Sequence, residues 1–102
     1  MRVTLNPKLV GESRNYSFPF GALLALNETI STASVTASVY SGTDPSAASI
    51  INGAASISGQ SVTQNITAGV VGVLYELKAQ ITTSLGQTLN CVAFLNVQPD
   101  VT

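Results

Sequence analysis

One feature constrains this chain more than any other: an unbroken alternation of apolar and polar residues near its C-terminal end. In Val73-Leu74-Tyr75-Glu76-Leu77-Lys78-Ala79-Gln80-Ile81-Thr82, the residues Val73, Tyr75, Leu77, Ala79 and Ile81 share one face. Glu76, Lys78, Gln80 and Thr82 share the other. A period of two is the repeat of a pleated strand with one dry and one wet face, and a helix would scatter the same residues around its axis. Thr83-Ser84-Leu85-Gly86 follows as a turn signal. Gln87 to Val97 then alternates again, with Leu89, Cys91, Ala93, Leu95 and Val97 together. Two alternating runs joined by a short loop containing glycine predict a β-hairpin.

The upstream chain repeats the pattern more weakly. Tyr16, Phe18 and Phe20 alternate with Asn15, Ser17 and Pro19. Val35, Ala37 and Val39 oppose Thr36, Ser38 and Tyr40 within Ile30 to Tyr40. Gly42-Thr43-Asp44-Pro45-Ser46 is a turn cluster, and Ala47 to Ile57 is compatible with a short helix or a strand. Val62, Gln64 and Ile66 mark a further short strand that ends at Thr67-Ala68-Gly69. Six to seven short strands in a chain of 102 residues predict an all-β, immunoglobulin-like or fibronectin-like β-sandwich, with residues 1–102 as one domain. Tyr75 stands just after a turn, near the start of the predicted sixth strand. That is the place of the tyrosine corner of such sandwiches, in which the hydroxyl bonds back to upstream backbone. Leu77 falls where antibody domains carry a disulfide cysteine.

Composition narrows the function. Charged residues make up 9% of the chain, the formal net charge is -1 and histidine is absent. No basic surface is available for nucleic acid, and no basic amphipathic face or long apolar run for a membrane. The commonest general base and metal ligand is missing. The acids Glu12, Glu28, Asp44, Glu76 and Asp100 are scattered, and no charged residue lies between Asp44 and Glu76. Cys91 sits on an apolar strand face with no histidine to activate it, so it reads as a buried structural thiol. Catalytic, cofactor-binding and metal-binding residues are all expected to be absent, and the chain is not expected to be an enzyme. Asn27-Glu28-Thr29 and Asn65-Ile66-Thr67 match the glycosylation triplet. The absence of a signal-peptide pattern and the single cysteine point to synthesis in a reducing cytoplasm, where such triplets go unused.

The run Phe18 to Leu26 carries more apolar side chains than one strand face can turn inward. Phe18 and Phe20, with Tyr16, read first as core. Leu23, Leu24 and Leu26 belong to a loop or short helix with apolar surface left over, which is a signal of partner binding. The expected protein contacts are therefore Phe18, Phe20, Leu23, Leu24 and Leu26 in one segment, and Val70 and Val71 in the loop Thr67–Gly72.

The chain also resembles a known family. Asn6-Pro7-Lys8, Tyr16-Ser17-Phe18-Pro19-Phe20 and Leu24-Ala25-Leu26-Asn27-Glu28-Thr29-Ile30 look like the opening of small tailed-bacteriophage fibre–tail adaptor proteins. Tyr75-Glu76-Leu77-Lys78-Ala79-Gln80-Ile81-Thr82-Thr83, followed by Gly86-Gln87-Thr88, is similar to the family's second-half signature. Tryptophan, common in that family at the aromatic strand, is absent, and Phe18 and Phe20 stand in its place. The resemblance implies a virion structural protein that joins tail fibres to the tail, neck or baseplate. Its partners would be other virion proteins, contacted in several symmetric copies, with neither nucleic acid nor membrane among them. Its destination would be the virion, after synthesis in the bacterial host cytoplasm. A capsid decoration or head-surface protein of the same fold is the alternative. A carbohydrate- or surface-binding module is less favoured, because the chain lacks a tryptophan platform and has few acids.

Overall fold

The computed structural model describes residues 2–5 and 7–99. Eight strands follow in chain order: β1 (Arg2–Thr4), β2 (Lys8–Leu9), β3 (Arg14–Pro19), β4 (Ile30–Ser41), β5 (Ile51–Ser58), β6 (Ser61–Ile66), β7 (Leu74–Thr83) and β8 (Thr88–Gln98). They form two sheets. The larger runs β1-β8-β7-β4, with β2 also on β8, and the smaller runs β3-β6-β5. The predicted hairpin is β7–β8, in continuous antiparallel register from Leu74↔Asn96 to Thr82↔Thr88.

The alternation read from the sequence decides which face each strand buries. Tyr75, Leu77, Ala79 and Ile81 of β7 and Cys91, Ala93, Leu95 and Val97 of β8 are buried together. Tyr16 and Phe18 of β3 and Val62 and Ile66 of β6 meet them from the smaller sheet, in one apolar layer between the two. Each fully buried aliphatic side chain of this kind contributes about 1.5–3 kcal/mol. Gln64 is the polar member of its inward row, and it is buried at the irregular stretch of β5 between Asn52 and Ser56. There its amide donates to the carbonyls of Asn52 (3.1 Å), Gly53 (3.1 Å) and Asn65 (3.0 Å). A bulge disrupts the ladder locally, and the side chain takes up carbonyls at that site. Among the described residues, every buried side-chain nitrogen and oxygen has a hydrogen-bond partner.

Two features depart from the sequence reading. Among the described residues eight strands are present instead of six or seven, because β1 and β2 add to β8 in parallel, with Val3 opposite Ala93 and Lys8 opposite Val97. These strands are three and two residues long, too short for periodicity to reveal. The ambiguous segment Ala47 to Ile57 contains both alternatives, a 3-10 turn at Ala47–Ile50 and then strand β5.

Candidate functional site

The strand pairings place the loops in two groups, one at each end of a body measuring 46 × 21 × 19 Å. At one end lie the β3–β4 connection, the β5–β6 turn and the β7–β8 turn. At the other lie the β4–β5 and β6–β7 connections and the segment beginning with β2. The two segments expected to contact partners therefore point away from one another.

At the first end the chain leaves β3 through a 3-10 turn at Gly21–Leu23. It then reverses over Ala25-Leu26-Asn27-Glu28, closed by the Glu28 amide donating to the Ala25 carbonyl at 3.0 Å. Asn27 takes a positive φ of 67°, a conformation that this turn position demands and that asparagine tolerates. Leu26 is left at the tip, 91% exposed. The Glu28 side chain folds back beneath it and is buried. One carboxylate oxygen accepts the Ala25 amide at 2.8 Å, and the other accepts the Thr83 hydroxyl. These two bonds, the Thr83 one foremost, hold the Glu28 carboxyl below its ordinary pKa. Thr29 and Ser84 add two more bonds, amide to hydroxyl at 3.0 Å and amide to carbonyl at 2.9 Å. The β3–β4 loop is thereby fastened to the β7–β8 turn, whose Leu85 is 63% exposed. Leu23 adds a third partly exposed leucine at this end.

The second end is built in a similar way. Val70-Val71-Gly72-Val73 forms a turn with the Val73 amide on the Val70 carbonyl at 3.2 Å and Gly72 at φ 83°. Val70 and Val71 are 43% and 45% exposed. Tyr75 fixes this loop from below. Its ring is fully buried, its hydroxyl accepts the Val70 amide at 2.7 Å, and it donates to the Asp44 carboxylate at 2.6 Å. This is the upstream backbone bond expected of a tyrosine corner, with an acid from the β4–β5 loop as a second partner. Burial, and then the bond to Asp44, push the Tyr75 phenol up to about 12. Lys8 is buried beside the same loop, and its ammonium donates to the carbonyls of Ala68 (2.6 Å), Leu9 (2.8 Å) and Val10 (3.2 Å).

Phe18 and Phe20 have no exposed surface. Phe18 of β3 and Phe20 just beyond its end are core residues, and the expectation of a contact surface at these two is corrected accordingly, since a fully buried side chain has nothing to offer a partner. Leu24 is half-buried and packs on the core. Leu23, Leu26, Val70 and Val71 remain on the surface. Sequence reading missed three participants. Leu85 was visible only as a turn residue. Glu28 looked like one of several scattered acids. The third is an aromatic pair on the outer face of the larger sheet, Tyr40 and Phe94, edge to face with centroids 4.9 Å apart. Its signal was available, because Phe94 is a large apolar residue on the wet parity of β8.

Among the described residues, no three His, Cys, Asp or Glu side chains gather in a way that could hold a metal. No helix among them is long and apolar enough to cross a membrane. Burial raises the Cys91 thiol above its ordinary pKa, which leaves it a poor nucleophile.

Residues 8–95 match the family described as podophage GP4 fiber-tail adaptor protein gp77. The chain belongs to that family. The match runs from β2 into β8 and takes in both end loops, Tyr75 and the Thr82–Thr83 segment that meets Glu28. A search of curated proteins finds no match. The likeness to fibre–tail adaptors seen in the sequence is thus a family relationship, and an all-β sandwich of two sheets is the body on which this adaptor-family chain carries its loops.

Proposed function

We propose that this adaptor-family chain is a rigid two-ended connector in the virion. One apolar loop tip would seat in a tail, neck or baseplate component and the other against a fibre component. The observation that carries this reading is the placement of Leu23, Leu26 and Leu85 at one end of a 46 Å body and of Val70 and Val71 at the other. Each tip is held from beneath by a buried side chain, Glu28 or Tyr75, so little order has to be gained on docking. Apolar loop tips that turn leucine and valine outward, with the Glu28 carboxylate buried beneath, suit the core of a permanent interface. The reading also takes the fold as immunoglobulin-like and residues 1–102 as one domain. In its favour are the strand order β3-β6-β5 against β1/β2-β8-β7-β4, the first strand added in parallel to the last, and the corner at Tyr75.

Complementation of a phage lacking this chain tests the proposal. L26D/L85D and V70D/V71D variants are each supplied, and purified particles are analysed by mass spectrometry. One variant should yield particles without the protein, and the other particles that hold the protein but have lost their fibres. Both variants assembling with a full set of fibres would overturn the two-ended reading. Finding the wild-type protein in hundreds of copies on heads without tails would favour capsid decoration instead.

A further inference from the structure

The free sheet edges are not alike. β3 carries Arg14 and Pro19. β5 is broken between Asn52 and Ser56, with Gly53 at φ 74°. β1 and β2 are short pieces. Charge, proline, bulges and brevity are the usual devices that stop an edge from recruiting another strand. β4, the outermost strand of the larger sheet, lacks them over its middle. It is 12 residues long, contains no charged residue and no proline, and keeps unbroken register against β7 from Thr32↔Thr82 to Val39↔Tyr75. Its two irregularities lie outside that stretch, at Ile30/Thr32 and Val39/Ser41. β5 of the smaller sheet runs beside it, but among the described residues no backbone hydrogen bond leaves the outer edge of β4. A row of unsatisfied amides and carbonyls at strand spacing is completed by another strand.

The sequence of this stretch identifies the strand. Thr32-Ala33-Ser34-Val35-Thr36-Ala37-Ser38-Val39 is one four-residue unit written twice. We propose that β4 pairs antiparallel with β4 of a second copy of this chain, about a twofold axis at Val35. Val35 then faces Val35, Ala33 faces Ala37, Ser34 faces Thr36, and Thr32 faces Ser38. Over Thr32 to Ser38 the inward pairs are aliphatic, the outward pairs are hydroxyl with hydroxyl, and no charge opposes a like charge. Hydroxyl pairs across strands are favourable, and Thr32 with Thr82 already makes one inside the sheet. An unrelated strand would find no charge and no large side chain here by which to be selected, whereas a copy finds its own sequence in matched register. The pairing is isologous, as closed dimers require. It lies on the flank of the body and leaves both loop ends free, so it stands or falls separately from the connector reading.

The purified full chain is tested by light scattering after size exclusion. Wild type is expected to be a dimer at tens of micromolar. S34K/T36K, with two exposed outward positions changed and lysine set against lysine, is expected to be a monomer with an unchanged circular-dichroism spectrum. S34E/T36E should behave likewise, and mixing the two variants should restore a heterodimer. A monomeric wild type, a dimer that survives S34K/T36K, or two monomeric variants that fail to pair on mixing would each overturn the assignment.

Discussion

Tyr75→Phe tests the corner that holds the Val70–Val71 loop. The substitution keeps the buried ring and removes only the hydroxyl, with its bonds to the Val70 amide and the Asp44 carboxylate. Val70 is exposed and Asp44 half-buried, so water can reach both groups once the hydroxyl is gone. The loss near neutral pH is therefore about 1–2 kcal/mol, nearer the net worth of two hydrogen bonds than the full penalty of buried orphans. For a domain of this size that lowers Tm by roughly 5–15 °C. Alkali supplies a second and more specific signature. The Tyr75 phenol ionises at about 12 in the folded protein, against about 10 when unfolded. Between those values the unfolded chain releases its proton first. The stabilisation is complete below pH ~10 and is lost as pH rises towards ~12, by about 3 kcal/mol in the limit. Wild type thus loses stability over an interval in which Tyr75→Phe has no such group to titrate. Tyr16, whose phenol burial also raises, is present in both proteins and cancels. Urea denaturation at a series of pH values should show a gap of about 1–2 kcal/mol at pH 7 that closes near pH ~11. A gap of constant size from neutral pH to pH ~11.5 would refute the reasoning, because the hydroxyl would then not ionise differently in the two states.

Three further outcomes follow from the same structure. Leu77→Ala empties a fully buried position between the sheets and should destabilise by about 2–5 kcal/mol in urea, whereas Leu26→Ala at the exposed tip should change stability by less than ~0.5 kcal/mol. Cys91 should react with a thiol reagent only at the rate of unfolding, since its side chain is buried and burial raises its pKa. Rapid stoichiometric labelling of the folded protein would contradict this. Glu28 has a lowered folded pKa, so its contribution is present above the unfolded carboxyl pKa and is lost as pH falls through the folded value. Glu28→Gln should accordingly weaken the protein at neutral pH and flatten its acid limb, with faster amide exchange at Thr29 and Ser84, and an acid limb identical to wild type would count against the tether.

How far the sequence reached depended on the range of each interaction. Alternation is local, so β3, β4, β6, β7 and β8 and their inward faces were legible, as was a corner tyrosine placed by its turn and strand. The same alternation placed Phe18 with the core, while the excess of apolar residues after it signalled surface at Leu23 and Leu26. Parallel addition of β1 and β2 to β8 left no local trace, because pieces of two and three residues have no period to read. Nor could the sequence show that Glu28 meets Thr83 or that Asp44 meets Tyr75, pairs separated by 55 and 31 positions. By itself the sequence determined a charge-poor, all-β chain and the family to which it is similar, since residue type and period carry that information. Only tertiary structure decided which apolar residues stay wet, and that they gather at two opposite ends, because exposure depends on which strands close over a side chain from far along the chain.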